Sequence, residues 1–165
     1  MAIDILLRLM LFAVLALAQI LVLNRIQLFH CATPLLYVYF AITFPRNYPK
    51  WGMLLWCFAL GFCIDVFSNT PGVASASLTL VAALQPYLLE LFLSRDSDEK
   101  AKASALVLGF GKFALLAALL TFLYCVVFFA LESFCFFNWL YWLECVVGSF
   151  LFTLVLILTV ESIRK

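Results

Sequence analysis

One aspartate set in a long apolar stretch is the residue of this chain best placed to do chemistry. Asp65 lies in Gly61-Phe-Cys-Ile-Asp65-Val-Phe-Ser68-Asn-Thr-Pro71-Gly72, within a sequence that is 67% hydrophobic and 12% charged. A carboxylate at the centre of a lipid-embedded helix costs roughly 2.5–3.5 kcal/mol on insertion scales, so it must recover that cost through pairing or hydrogen bonds. Gly61 stands four residues earlier and shares its helix face. A glycine there lets a neighbouring backbone approach, and the carboxylate can meet its polar groups. Two roles fit. Asp65 binds an ion, substrate or partner, or it accepts hydrogen bonds from the N–H groups of the 68–72 turn or of the next helix start, as a cap does. Only seven residues separate Asp65 from Gly72, which favours the cap.

Other polar residues offer less. Glu144 and Gly148 repeat the acid-plus-glycine spacing near the end of a later span. Two acids at similar depth could share a proton or a cation, although Glu144 follows Tyr-Trp-Leu and is more simply read as reaching interfacial water. Glu90 and Lys112, on consecutive antiparallel spans, are expected to form an ion pair that glues helices, because an isolated charge in lipid is worse than a paired one. Small residues recur at helical spacing: Ser75, Thr79 and Ala83; Ala114 and Ala118; Ser149 and Thr153. Such stripes let helices pack closely in a bilayer. The six cysteines are scattered through or beside apolar runs with no Cys-x-x-Cys, and read as small buried hydrophobes. His30 is the only histidine, so a metal or proton relay built on imidazole lacks partners. No Gly-x-Ser-x-Gly, His-Glu-x-x-His or P-loop is present. The expectation is a protein that is not an enzyme and needs no cofactor.

These residues must be positioned by membrane-spanning helices. The mean hydropathy of +1.16 excludes a soluble domain, since soluble domains are about 45–50% apolar and about 25% charged. A chain of 165 residues has room for five or six spans of about 20 residues and for no further domain. The apolar runs place spans at residues 5–23, 26–44, 51–67, 73–93, 104–131 and 139–163. The first is longer than the apolar core of a signal peptide and is read as a retained span. The second contains Gln27, His30 and Pro34. The residue before a proline is disfavoured as helix, so this span is expected to be short or broken, and shielded by its neighbours. Pro86 should kink the fourth span. The fold expected is all-α: a compact bundle of about six transmembrane helices in one domain.

Lysine and arginine placement sets orientation. With six spans and the N-terminus inside, Arg46, Lys50, Arg95, Lys100, Lys102, Arg164 and Lys165 are cytoplasmic and only Arg25 lies outside. Both termini are therefore expected in the cytoplasm. Trp51, Trp139, Tyr141 and Trp142 fall near span ends, where interfacial aromatics belong. A formal charge of +1 offers nothing to nucleic acid.

Taken together, the chain resembles the MreD family, small multi-span proteins of the bacterial rod-shape (elongation) system. The resemblance is carried by the Gly61-x-x-x-Asp65 step, the Ser68-Asn-Thr-Pro71-Gly72 turn and Ala82-Ala-Leu-Gln-Pro86-Tyr-Leu-Leu. Asn24-Arg-Ile-Gln-Leu-Phe and Thr33-Pro-Leu-Leu-Tyr are similar to the Bacteroidetes-type variant. Gln85 stands where the family pattern suggests a basic residue, which puts in doubt any partner or headgroup contact there. The resemblance implies a scaffold of the inner membrane that binds MreC, and through it MreB filaments, RodA and a class B penicillin-binding protein. It also implies a fold like the membrane subunit of energy-coupling-factor transporters. The rival reading is a small-molecule-binding membrane subunit of a transporter. The short, mostly apolar outer loops leave few polar groups for that role.

Overall fold

The computed structural model describes residues 2–23, 33–45, 48–92, 108–133 and 139–163, with side chains from residue 5 onward. Of the residues used above, Asn24, Arg25, Gln27, His30, Cys31, Arg46, Arg95, Lys100, Lys102, Cys135, Arg164 and Lys165 lie outside that set.

The described chain is helical, with no β-strand. Its helices are α1 (Ala2–Leu21), α2 (Val38–Ile42), α3 (Lys50–Ser68), α4 (Val73–Phe92), α5 (Phe110–Glu132) and α6 (Trp139–Ile163). The last four are long and apolar enough to cross a membrane, and Ile5–Leu21 of α1 is a shorter apolar helix. Helices α3 to α6 begin and end close to the spans expected from the apolar runs. The main departure is α5, which starts at Phe110, after Gly109 at φ 83°, rather than at residue 104.

Neighbours in sequence are neighbours in space. Helix α1 packs on α3, α3 on α4, α4 on α5 and α5 on α6. The short α2 sits inside this arc against α1, α3, α4 and α5. Val38, Tyr39, Phe40, Ala41 and Ile42 are each at most 1% exposed. The described part of the second span therefore lies at the centre of the described bundle, with α2 fully shielded by its neighbours.

Three bonds to α6 give the direction of this segment. The Thr33 N–H donates to Ser149 Oγ at 3.1 Å, the Leu35 N–H to Thr153 Oγ1 at 3.0 Å, and the Tyr39 hydroxyl to Glu161 Oε2 at 2.6 Å. The segment thus advances in the same direction as α6. Helix α1 runs the opposite way. Gln19, near its C-terminal end, donates to the Pro34 carbonyl at 2.9 Å, while Arg8, near its N-terminal end, lies over the Phe44 and Tyr48 rings. The start of α1 and the end of α6 consequently share one end of the bundle, as alternating crossings require.

Candidate functional site

At the opposite end, α3 and α4 form a hairpin built around Asp65. Helix α3 stops because Asn69 turns left-handed (φ 57°, ψ 34°) and its N–H returns to the Asp65 carbonyl. Asparagine tolerates this conformation better than other side-chain-bearing residues. Gly72 follows at φ 85°, and α4 begins at the next residue. Ser68 is half-buried, and Pro71 is exposed in the turn between them.

The Asp65 side chain, only 4% exposed, reaches across to the first turn of α4. Oδ1 accepts the Ala74 N–H at 2.8 Å and the Thr70 hydroxyl at 3.1 Å; Oδ2 accepts the Ser75 N–H at 2.9 Å. The first N–H groups of a helix have no intrahelical partner, and the positive end of the helix dipole favours an anion there. One carboxylate therefore satisfies two buried donors of α4 and is itself stabilised by them.

Gly61 makes the approach possible. A Cβ added there would meet Ser75 Cα at 2.4 Å, Ser75 N at 2.8 Å and the Ala74 carbonyl oxygen at 2.9 Å. Those obstacles are backbone, which cannot swing aside. The residues that need Asp65 and the residues that need Gly61 are the same two, Ala74 and Ser75. Gly61, Asp65 and Ser75 thus form one clamp between α3 and α4. With both oxygens bonded to helix donors, Asp65 serves as a cap and cross-link.

The second polar assembly belongs to the central segment. Because residues 33–37 and 43–45 are not α-helical, their backbone groups need outside partners. Ser149 and Thr153 supply acceptors, as given above. Gln85, 1% exposed, points its amide at the carbonyls of Phe44 (3.2 Å) and Ile42 (3.4 Å), past the end of α2. Gln85 therefore sits inside the protein, not on a partner or a headgroup. A basic side chain at this place would bury a charge where a neutral amide suffices. Pro86 beside it is accommodated within a continuous α4.

Other expected constellations do not form. Glu90 and Lys112 are both exposed, and among the described residues no ion pair joins them. The reason is the start of α5: with Phe110 as its first residue, Lys112 sits in the first turn, at a helix end where water or headgroups can solvate it, instead of two turns into the span. Glu144 is exposed and Gly148 half-buried, far in role from the Asp65 clamp, whose carboxylate is already occupied. The small-residue stripes divide. Ser75 packs on Gly61, and Thr79 returns its hydroxyl to the Ser75 carbonyl (2.6 Å), whereas Ala83 is exposed. Among the described residues Cys57, Cys63, Cys125 and Cys145 form no disulfide. Among the described residues no group of three His, Cys, Asp or Glu could hold a metal ion.

Sequence reasoning missed the buried Tyr39–Glu161 bond and the Tyr37–Tyr124 pair, whose hydroxyls bond one another and whose rings meet edge to face at 5.5 Å. Glu161, four residues before the end of the chain and 2% exposed, resembles an interfacial acid in sequence. Its only signal is its place three turns along the face of Ser149 and Thr153. Compared with known proteins, the chain matches no family model, no curated protein and no solved structure.

Proposed function

We propose that this chain is a membrane scaffold of the cell-wall elongation machinery, seated in a bacterial inner membrane with both termini in the cytoplasm. In this reading it binds the transmembrane helix of an MreC-like protein and so helps couple MreB filaments to RodA and a class B penicillin-binding protein. The observation that supports it is how the buried polar groups are used. Asp65 is bonded to α4, and Ser149, Thr153, Gln85 and Gln19 are bonded to the central segment. Each holds one part of the bundle to another, as a rigid docking body needs.

What remains facing outward is apolar helix. On α6, Leu140, Leu143, Val147, Leu151 and Val155 are exposed at helical spacing, and this helix is the least covered of the four long ones. In a bilayer such a row meets lipid or a single partner helix by close packing. The test is a mild-detergent pull-down from native membranes with mass spectrometry of what is retained. An MreC-like single-span protein together with cell-wall synthases is the expected recovery. An ATPase-driven transport module with no cell-wall protein would overturn the scaffold. One observation favours that second reading, a small-molecule-binding subunit: the bundle is hollow at the Asp65 end, and the hollow carries more polar groups than the short loops suggest.

A further inference from the structure

A cavity of about 550 Å³ opens at the end of the bundle that holds the Asp65 clamp. It falls within the range of roughly 300–1,000 Å³ typical of small-molecule sites. Three helices finish around it. Helix α1 contributes Ile20 and Leu21, α3 contributes Phe67 and Ser68, and α5 contributes Phe128 and Glu132.

This convergence gives the cavity a sign. A helix C-terminus carries the equivalent of roughly half a negative charge, and its last carbonyls lack intrahelical donors. A basic residue in the last turn offsets that charge, and α1, α3 and α5 have none there. Helix α4 starts beside the cavity, but its positive end is taken by the Asp65 carboxylate. Glu132 adds a full negative charge. It is the last residue of α5, where the helix dipole disfavours an acid, and among the described residues nothing bonds its carboxylate. No lysine, arginine or histidine lines the cavity among the described residues. The hydroxyls do not reverse the pattern. Thr70 has given its proton to Asp65, so its oxygen keeps only lone pairs for a ligand, and Tyr37 and Ser68 have partners of their own. The rest of the wall is apolar, with Phe128 held in place by stacking on the Tyr124 ring.

We propose that this cavity binds a small organic cation, a primary ammonium on an apolar body. An ammonium has three donors and no acceptor, which suits a site made of a carboxylate and helix C-termini. It sits on Glu132 as a charge-assisted contact, and its body lies against Ile20, Phe67 and Phe128. The inference names a ligand class for the hollow that favours the small-molecule reading, and it rests on the hollow alone. A scaffold bound to an MreC-like helix can hold the same ligand, so the pull-down and the experiment below fail independently.

The experiment is equilibrium dialysis at neutral pH of three probes of one shape against the full chain in phosphatidylcholine nanodiscs, with empty discs subtracted. The probes are phenylbutylamine, phenylbutanol and phenylbutyrate, which are cationic, neutral and anionic. Wild type is expected to bind the amine about tenfold more tightly than the alcohol, the effect of one charge-assisted bond, and the carboxylate most weakly. Glu132→Gln, at an exposed position, should lower the amine to the affinity of the alcohol and leave the alcohol unchanged. Leu21→Trp places a large side chain at an exposed position of the lining and should weaken amine and alcohol alike. Equal affinity of wild type for amine and alcohol, or no amine bound beyond empty discs, overturns the proposal. So does a monodisperse Glu132→Gln protein that keeps the wild-type preference for the amine.

Discussion

Asp65 and the central residues 33–45 face the same difficulty, polar groups in a fold solvated by lipid, and meet it by opposite routes. Asp65 finds its donors nearby: Thr70, Ala74 and Ser75 are five, nine and ten residues away. The central segment is held by Gln19 and Gln85 and, from the far end of the chain, by α6, with Thr33–Ser149, Leu35–Thr153 and Tyr39–Glu161 separated by 116, 118 and 122 residues. The first is a local knot that forms with one helical hairpin. The second exists only once α6 has packed against the arc. The comparison teaches that buried polarity serves two levels of organisation here, the joining of two sequential helices and the closure of the whole bundle.

The comparison can be broken most forcefully at Asp65. Asp65→Leu leaves the Ala74 and Ser75 N–H groups buried without acceptors, at roughly 1–3 kcal/mol for each group. We expect the largest loss of thermal stability in detergent of any change discussed here, with lower yield and lower co-purification of a partner. An unchanged melting temperature and yield would show that the clamp is not structural.

Gly61→Ala sharpens the same region. The new Cβ must push Ser75 away, a strain of about 1–3 kcal/mol, and in doing so it lengthens the Asp65 bonds. The costs of Gly61→Ala and Asp65→Asn should therefore be strongly non-additive in a double-mutant cycle. Simple additivity would mean that close approach and capping are independent.

In the central region Thr153→Val removes the acceptor of the Leu35 N–H without changing shape. Interhelical hydrogen bonds in bilayers average about 0.6 kcal/mol and reach about 1.7, so the expected loss is smaller than at Asp65. Because the bond closes the bundle, hydrogen exchange should rise at residues 33–35 and stay unchanged in the α3–α4 hairpin. Faster exchange in both places would deny the separation of the two regions. The smallest effect belongs to Glu144→Gln. An exposed acid outside both assemblies should change stability by less than about 0.5 kcal/mol, and a large loss in the same melting assay would reveal a partner for Glu144 that the bundle does not show.

The clamp was legible because its parts are close in sequence. Glycine four residues before an acid, followed within seven residues by a turn ending in glycine, leaves few places for that acid to go. The broken second span was legible from Pro34 and Pro45 for a similar reason: proline acts on its own backbone and its immediate neighbour. The Glu90–Lys112 pair failed because it needed the start of α5, and residues 104–109 look as apolar as the helix that follows. Gln85 failed because family pattern suggested an outward role, while nothing within its own helix shows that the end of α2 lies against it.

By itself the sequence pointed to an all-helical membrane-type bundle, to a second span that is short or broken and shielded, and to Asp65 as a cap in preference to a ligand site. Hydropathy, proline geometry and short-range capping act over one or two helical turns, and so they are written in the order of residues. Only the tertiary structure decided that Ser149, Thr153 and Gln85 carry the backbone of the central segment, that Glu161 is buried on Tyr39, and that a polar hollow opens between α1, α3 and α5. Those facts depend on which helix faces come together across separations of 41 to 122 residues, and nearly uniform apolar helices carry little pattern to say which face turns inward.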